Sequence, residues 1–499
     1  MRALRAAVVL LAVAPAAARA QDLLGTCLGT LAPVCLAQLA RDSAQAQPDP
    51  NDAMLGLAYL GYVQARGGDR AGATVSLDAA ARAAESIKDA VERDFARTWV
   101  APMYAAAGDM AAALALADAI GAARDRDDAL AAIVGQAIER GDIAGAEGVV
   151  ARARAGELAA ARVALGGAYA ARGEFERAAA VARGLTADQR GALLADLAKH
   201  MADANRTHEA IKLALELADG PELDAAMAAL VASMAERLVL GDARVVAAAL
   251  TAPGPRDTAF AALAAAEAGT GDFTGAVADA GRVVDQVGRL RAREAVAQAR
   301  AQSGDVTGAV AFALTEDYAQ YRAILLGAVA KVQAEAGNVA NALVTVARID
   351  VVLDRNRLIA DLGKARLDAG DKAGARRCLE LLTAGAPFAD AAVVGFARLG
   401  EHERARDIAA SLPDGIVRAW ALLDAARAVK APDAARTYLG LAVVELERDP
   451  NAYGRDDAAR VLAVQWARAG DAAQAAALIA GLSASGRVMV FTDLLPQGR

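Results

Sequence analysis

The sequence predicts an all-α chain, a solenoid of about 12–13 stacked helical hairpins, and three observations carry that prediction. A Gly-Asp turn recurs at a fixed interval: RAQSGDVTGAVAFAL at 300–314 returns 33 residues later as QAEAGNVANALVTVA and again 33 later as RLDAGDKAGARRCLE. Apolar residues such as Leu325, Val329 and Val332 follow helical spacing, and no Val/Ile alternation marks a strand. The chain has 499 residues, more than a single core accommodates, as a repeat array or several domains would require.

Taken in order, the first segment is an export signal. MRALRAAVVLLAVAPAAARA carries two leading arginines, an apolar run and a small-x-small ending at Ala18-Arg19-Ala20, so residues 1–20 are expected to be cleaved after Ala20 and the mature protein to be periplasmic. A lipoprotein signal would use Cys27, but Thr26 is a poor residue before the acceptor, and Arg19 and Asp22 break the apolar run. No later window is long and apolar enough to span a bilayer.

Residues 21–50 are out of phase with the repeat and read as a helix and loop leading into it. Cys27 and Cys35 lie here. On one straight helix they would be about 12 Å apart, beyond bridging distance, but Gly29 and Pro33 between them allow a turn. In an oxidising compartment the two could pair, and a disulfide and a pair of buried thiols in a helix are equally compatible with this spacing.

The array is expected over 51–482. Aligned on the turn residue, its phase points fall at 68, 108, 141, 173, 205, 241, 271, 304, 337, 370, 400, 432 and 470. Eleven of these thirteen are Gly, and eleven are followed by Asp or Glu, the pairing that ends one helix in the left-handed conformation and caps the next. Five residues after the turn, Ala occupies eleven of the thirteen places, as in Ala146, Ala276, Ala309 and Ala342, where a small side chain lets two helices approach. Each hairpin alone would expose apolar faces, so neighbours must stack.

Fifteen residues before the turn stands Arg in eight units: Arg93, Arg126, Arg190, Arg256, Arg289, Arg322, Arg355 and Arg455. The position is the entrance to a first helix, beside the carbonyl end of the preceding second helix, and predicts an inter-repeat staple. A basic stripe facing a partner is the alternative. Arg487, 32 residues after Arg455, opens a further first helix with no partner, and residues 483–499 are expected to cap the array.

In ALGGAYAARGEFERAAAV, residues Leu165, Gly166, Tyr169, Gly173, Phe175 and Ala178 stand at the spacing of the tetratricopeptide repeat signature, and Leu60-Gly61 and Leu362-Gly363 repeat part of it. The chain therefore resembles the tetratricopeptide repeat family over roughly 50–482. The resemblance implies a right-handed α-α solenoid that binds proteins or peptides on a concave face lined by first helices. The residue six places before the turn should point into that face. Gln298, Lys331 and Lys364 hold this position, with Arg291 and Arg357 two turns earlier, and these five are the candidate partner-binding residues, suited to a partner's acidic groups.

The remaining chemistry is sparse. Three histidines, His200, His208 and His402, have no ligand-spaced neighbours, so neither metal nor cofactor is expected. GTGDFTG at 269–275 and Arg140-Gly141-Asp142 are turns of the repeat rather than a phosphate loop or an adhesion motif. Removal of the signal leaves 51 basic against 61 acidic residues, net −10, which disfavours nucleic acid. Some cell-wall lyases join a helical solenoid to a catalytic domain, but outside the array no stretch is long enough for one. The expected function is a non-catalytic periplasmic interaction scaffold. The alternative is a binder of a non-protein ligand such as a glycan, which clustered aromatics on the concave face would favour.

Overall fold

Each expected turn begins with a helix that has run out of partners for its last carbonyls. At Gly304 the chain takes φ +92°, its amide bonds to the Ala301 carbonyl (3.1 Å), and Asp305 then accepts from the Gly308 amide (2.9 Å) to start the next helix. The structure, a computed structural model, describes residues 23–152, 158–382, 384–448 and 452–496. The signal segment lies outside the described residues. Over the described residues the protein is an all-α solenoid of tetratricopeptide-like hairpins.

The chain forms two compact units, residues 141–388 and residues 1–140 joined by 389–499. The former holds seven complete hairpins, beginning with Ala159–Ala171 and Phe175–Arg183 and ending with Val352–Asp368 and Lys372–Leu379. The latter holds five, Pro50–Arg66 with Arg70–Glu85 and Ala90–Ala107 with Met110–Asp118 from the early chain, then three more between Ala389 and Ala480. Between them in sequence, Ala123–Glu139 closes the first stretch and Ile143–Arg152 opens the other unit.

The alanine notch is where hairpins are held together. Ala73, Ala113, Ala146, Ala178, Ala276, Ala309, Ala342, Ala375, Ala405 and Ala475 are all fully buried, and Ala210 nearly so. Any longer side chain there would have to push two helices apart. The signature residues Leu165, Tyr169, Phe175 and Ala178 are buried in the same core, and a methyl on Gly166 would collide with Leu193 of the next hairpin (2.6 Å).

Two phase points are corrected, and the simpler is Pro432, which opens the helix Pro432–Arg448 instead of making a left-handed turn before it. Gly241 lies inside the helix Leu240–Ala249, and the turn is made by Leu238 at φ +60°. With Leu238 the spacings from Asn205 and to Gly271 both become 33, and the notch residue becomes Ala243, fully buried. Alignment on glycine missed it because Leu238, 58 % exposed, accepts the strained conformation where a glycine would have marked it.

At the chain ends, Cys27 and Cys35 are joined, with Cα atoms 5.4 Å apart. The reversal falls at Leu31 (φ +49°), with Pro33 opening the helix Pro33–Gln45, and not at Gly29. The helix Ala484–Leu494 is no bare cap. It packs along Pro33–Gln45, touches Pro50–Arg66, and follows Arg455–Arg468 in the stack. A Cβ on Gly56 would meet both Ala44 (3.2 Å) and Val488 (3.7 Å). The first helix that Arg487 announces does have a second helix, and the other end of the chain supplies it.

Candidate interaction face

Six of the eight recurring arginines bond the end of a neighbouring helix. Arg93 donates to the Ile87 carbonyl (2.9 Å), Arg289 to Val283 (3.3 Å), Arg322 to Glu316 (2.8 Å) and Arg355 to Ile349 (3.4 Å), each six residues back at the end of the preceding second helix. Arg126 reaches Ile120 in the same way (3.5 Å), and Arg190 binds the carbonyls of both Leu185 (3.2 Å) and Leu217 (2.5 Å). These cations satisfy helix C-termini, as the staple reading requires. Arg256 instead leans on Phe260, and Arg455 sits beside Asp456 (3.9 Å). The sequence alignment passed over Arg418, which makes the same bond to Leu412 (2.6 Å).

A complementary acid was not recognised from sequence. Asp94 accepts from the amides of Gly121 (2.8 Å) and Ala122 (3.1 Å), Asp224 from Thr251 (2.9 Å) and Ala252 (2.6 Å), and Asp257 from Val284 (2.9 Å) and Asp285 (2.7 Å). Each carboxylate thus caps the first helix of the following hairpin, and burial opposes its charge while these amide bonds hold the Asp94 and Asp224 carboxyls below the usual carboxylate range. The legible signal was the Arg-Asp pair at 93–94 and 256–257.

Buried polar residues are also committed to packing. Gln64 bonds Ser76 (2.6 Å) and Gln333 bonds Thr345 (2.7 Å) across their hairpins. At the same two positions Glu267 and Asp279 stand as buried acids, and Arg244 from the preceding hairpin pairs with both. Cys378 is fully buried, and burial pushes its thiol up to about 11. Among the described residues no cluster of His, Cys, Asp or Glu could hold a metal, and no helix is long and apolar enough to cross a membrane.

All five candidate residues, Arg291, Gln298, Lys331, Arg357 and Lys364, are exposed on first helices of residues 141–388. A cleft of about 530 Å³ between Ala319–Glu335 and Val352–Asp368 brings Lys331 and Arg357 together over Ile324, Leu353 and Leu358. Arg291, Gln298 and Lys364 do not line it. The cleft is of mixed charge, because Glu294, Asp354 and Asp361 line it too, and Asp354 pairs with Arg357. These acids stand nine, ten and sixteen residues before their turns, positions that share the face but were not counted.

No family model and no curated protein matches the chain. Solved structures that align with the chain include Ton1535 from Thermococcus onnurineus NA1 (14% identity, 60% of this chain and 84% of that one, TM-score 0.23) and Naa15/Naa10 bound to HypK-THB (14%, 94% and 84%, 0.31). Yeast Tom70 aligns over 83% of this chain and 96% of its own at 10% identity, with a TM-score of 0.29. At these scores the likeness adds nothing to the hairpin fold already described.

Proposed function

We propose that the protein is a non-catalytic periplasmic interaction scaffold that holds a protein partner on its first-helix face. The cleft around Lys331 and Arg357 carries this reading. It combines an apolar floor at Ile324 and Leu353 with charges of both signs on its walls, and sits on rigid helices rather than loops. Lys331 and Lys364 are the residues offered to a partner's carboxylates. Export is supported by the leader's layout and by the Cys27–Cys35 bridge, a bond that persists in oxidising compartments.

A photo-reactive amino acid placed at Ile324 tests the reading in periplasmic extract. A discrete protein adduct is expected, and it should vanish in the Lys331→Ala/Lys364→Ala variant while the melting temperature is kept. No adduct, or an adduct indifferent to the double change, rejects it. The glycan alternative has one observation in its favour: Tyr59, Phe95 and Trp99 are exposed on first helices between residues 50 and 107.

A further inference from the structure

Those rings belong to a larger surface, which lies entirely in the unit made from the two chain ends. Counting from the stapling position, the residue two places on is Asp457, Met489, Leu55, Phe95 and Asp128 in five successive first helices. Four places further stand Val461, Asp493, Tyr59, Trp99 and Ala132. Equal positions on helices packed side by side lie side by side, so the first row is apolar in the middle and acidic at both ends, and the second sets Tyr59 and Trp99 beside Asp493.

The exposures are high for such residues: Val91 73 %, Phe95 58 %, Trp99 49 %, Leu55 46 %, Tyr59 41 % and Met489 40 %. Phe95 and Trp99 meet edge to face at 6.2 Å. Burial, then the nearby Asp493, raise the Tyr59 hydroxyl above its ordinary range, which places the C-terminal helix beside that ring. Contiguous exposed apolar surface on a soluble fold marks an interaction site, and aromatic rings are the usual anchors of one.

We infer that this shelf docks a protein segment bearing apolar anchors flanked by lysine or arginine. The inference rests on the scaffold reading and names a second surface and its partner's chemistry. Charge selects the occupant: Asp52 and Glu92 lie one turn before Leu55 and Phe95 on the same helix faces, and Asp128 and Asp457 border them, all four exposed. The exposed cations on these helices are Arg66, Arg124 and Arg468, and Arg460 is paired with Asp493, so the four carboxylates outnumber them at the shelf. The ring faces of Tyr59, Phe95 and Trp99 accept cations as readily as methyl groups. A second copy meeting the same patch would oppose four carboxylates with four.

The probes are two labelled 18-residue amphipathic peptides, one of Leu and Lys and one of Leu and Glu, titrated by anisotropy against the full-length protein. The Leu/Lys peptide should bind and weaken with salt, the Leu/Glu peptide should not bind, and Phe95→Ala/Trp99→Ala should weaken the former at least tenfold. Val91→Ser, a change at a first helical turn, should weaken it too and serves if the double variant fails to fold. Equal binding of both peptides, or binding untouched by either variant, overturns the inference. So does chitohexaose binding that depends on Phe95 and Trp99, which makes the shelf a glycan site, or a sedimentation dimer that the variants dissociate, which makes the occupant a second copy. The Ile324 cross-link reads other residues, so either test can fail alone.

Discussion

Residues 141–388 and the unit built from the chain ends use the same hairpin but assemble it differently. In 141–388 every first helix meets a second helix that follows it directly, across a turn of a few residues. In the other unit Ala484–Leu494 pairs with Pro33–Gln45, more than 400 residues away in sequence. Closing that distance rather than a hairpin's costs about 4 kcal/mol more by the loop entropy of a flexible chain. One buried aromatic is of that size, and Phe491 at 2 % exposure is such a residue. A repeat fold can therefore complete its last hairpin with a distant strand of chain, provided a few large side chains are buried at the joint.

The contrast is broken most severely at Phe491. Phe491→Ala should cost about 3–5 kcal/mol of local stability and raise hydrogen exchange in Pro33–Gln45 as well as in its own helix. Protection in 306–379 should stay unchanged, and equal loss there would show that the ends are not a separate joint.

Within 141–388 the contrast is sharpened by exchanging turn residues. Gly304→Val should destabilise by about 1 kcal/mol or more, because valine resists φ +92°. Leu238→Gly should do the reverse by up to about 1 kcal/mol, since an exposed leucine at φ +60° gives up little burial. Both effects should appear as hydrogen exchange confined to neighbouring hairpins. A Leu238→Gly protein less stable than wild type would refute the strain assigned to that turn.

The smallest effect should not distinguish the units at all. Asp94 in one and Asp224 in the other have carboxyls held below their unfolded value of about 3.9. A depressed carboxylate stabilises the fold above its unfolded pKa, and that contribution is lost as pH falls through the folded value. Acid titration of stability should therefore fall below about pH 4, less steeply in Asp94→Asn and Asp224→Asn, by a similar amount in each. An unchanged acid limb in both would exclude the capping role.

The period, the turns, the notch alanines and most of the arginine staples were legible in the residues, because each is a local requirement repeated many times. A helix must end, its neighbour must start, and two helices must approach, all within one 33-residue unit. Leu238 escaped because backbone strain leaves no mark on residue type when the side chain is exposed. Asp94, Asp224 and Asp257 escaped because their amides lie 27–28 residues ahead, in the next hairpin. The cleft's mixed charge and the aromatic shelf depend on which positions of adjacent helices share a face. The pairing of Pro33–Gln45 with Ala484–Leu494 was beyond any reading of period, since nothing in either helix names a partner at the far end of the chain. Local chemistry determines the hairpin; only packing, which compares surfaces without regard to sequence distance, decides which hairpin the chain ends complete.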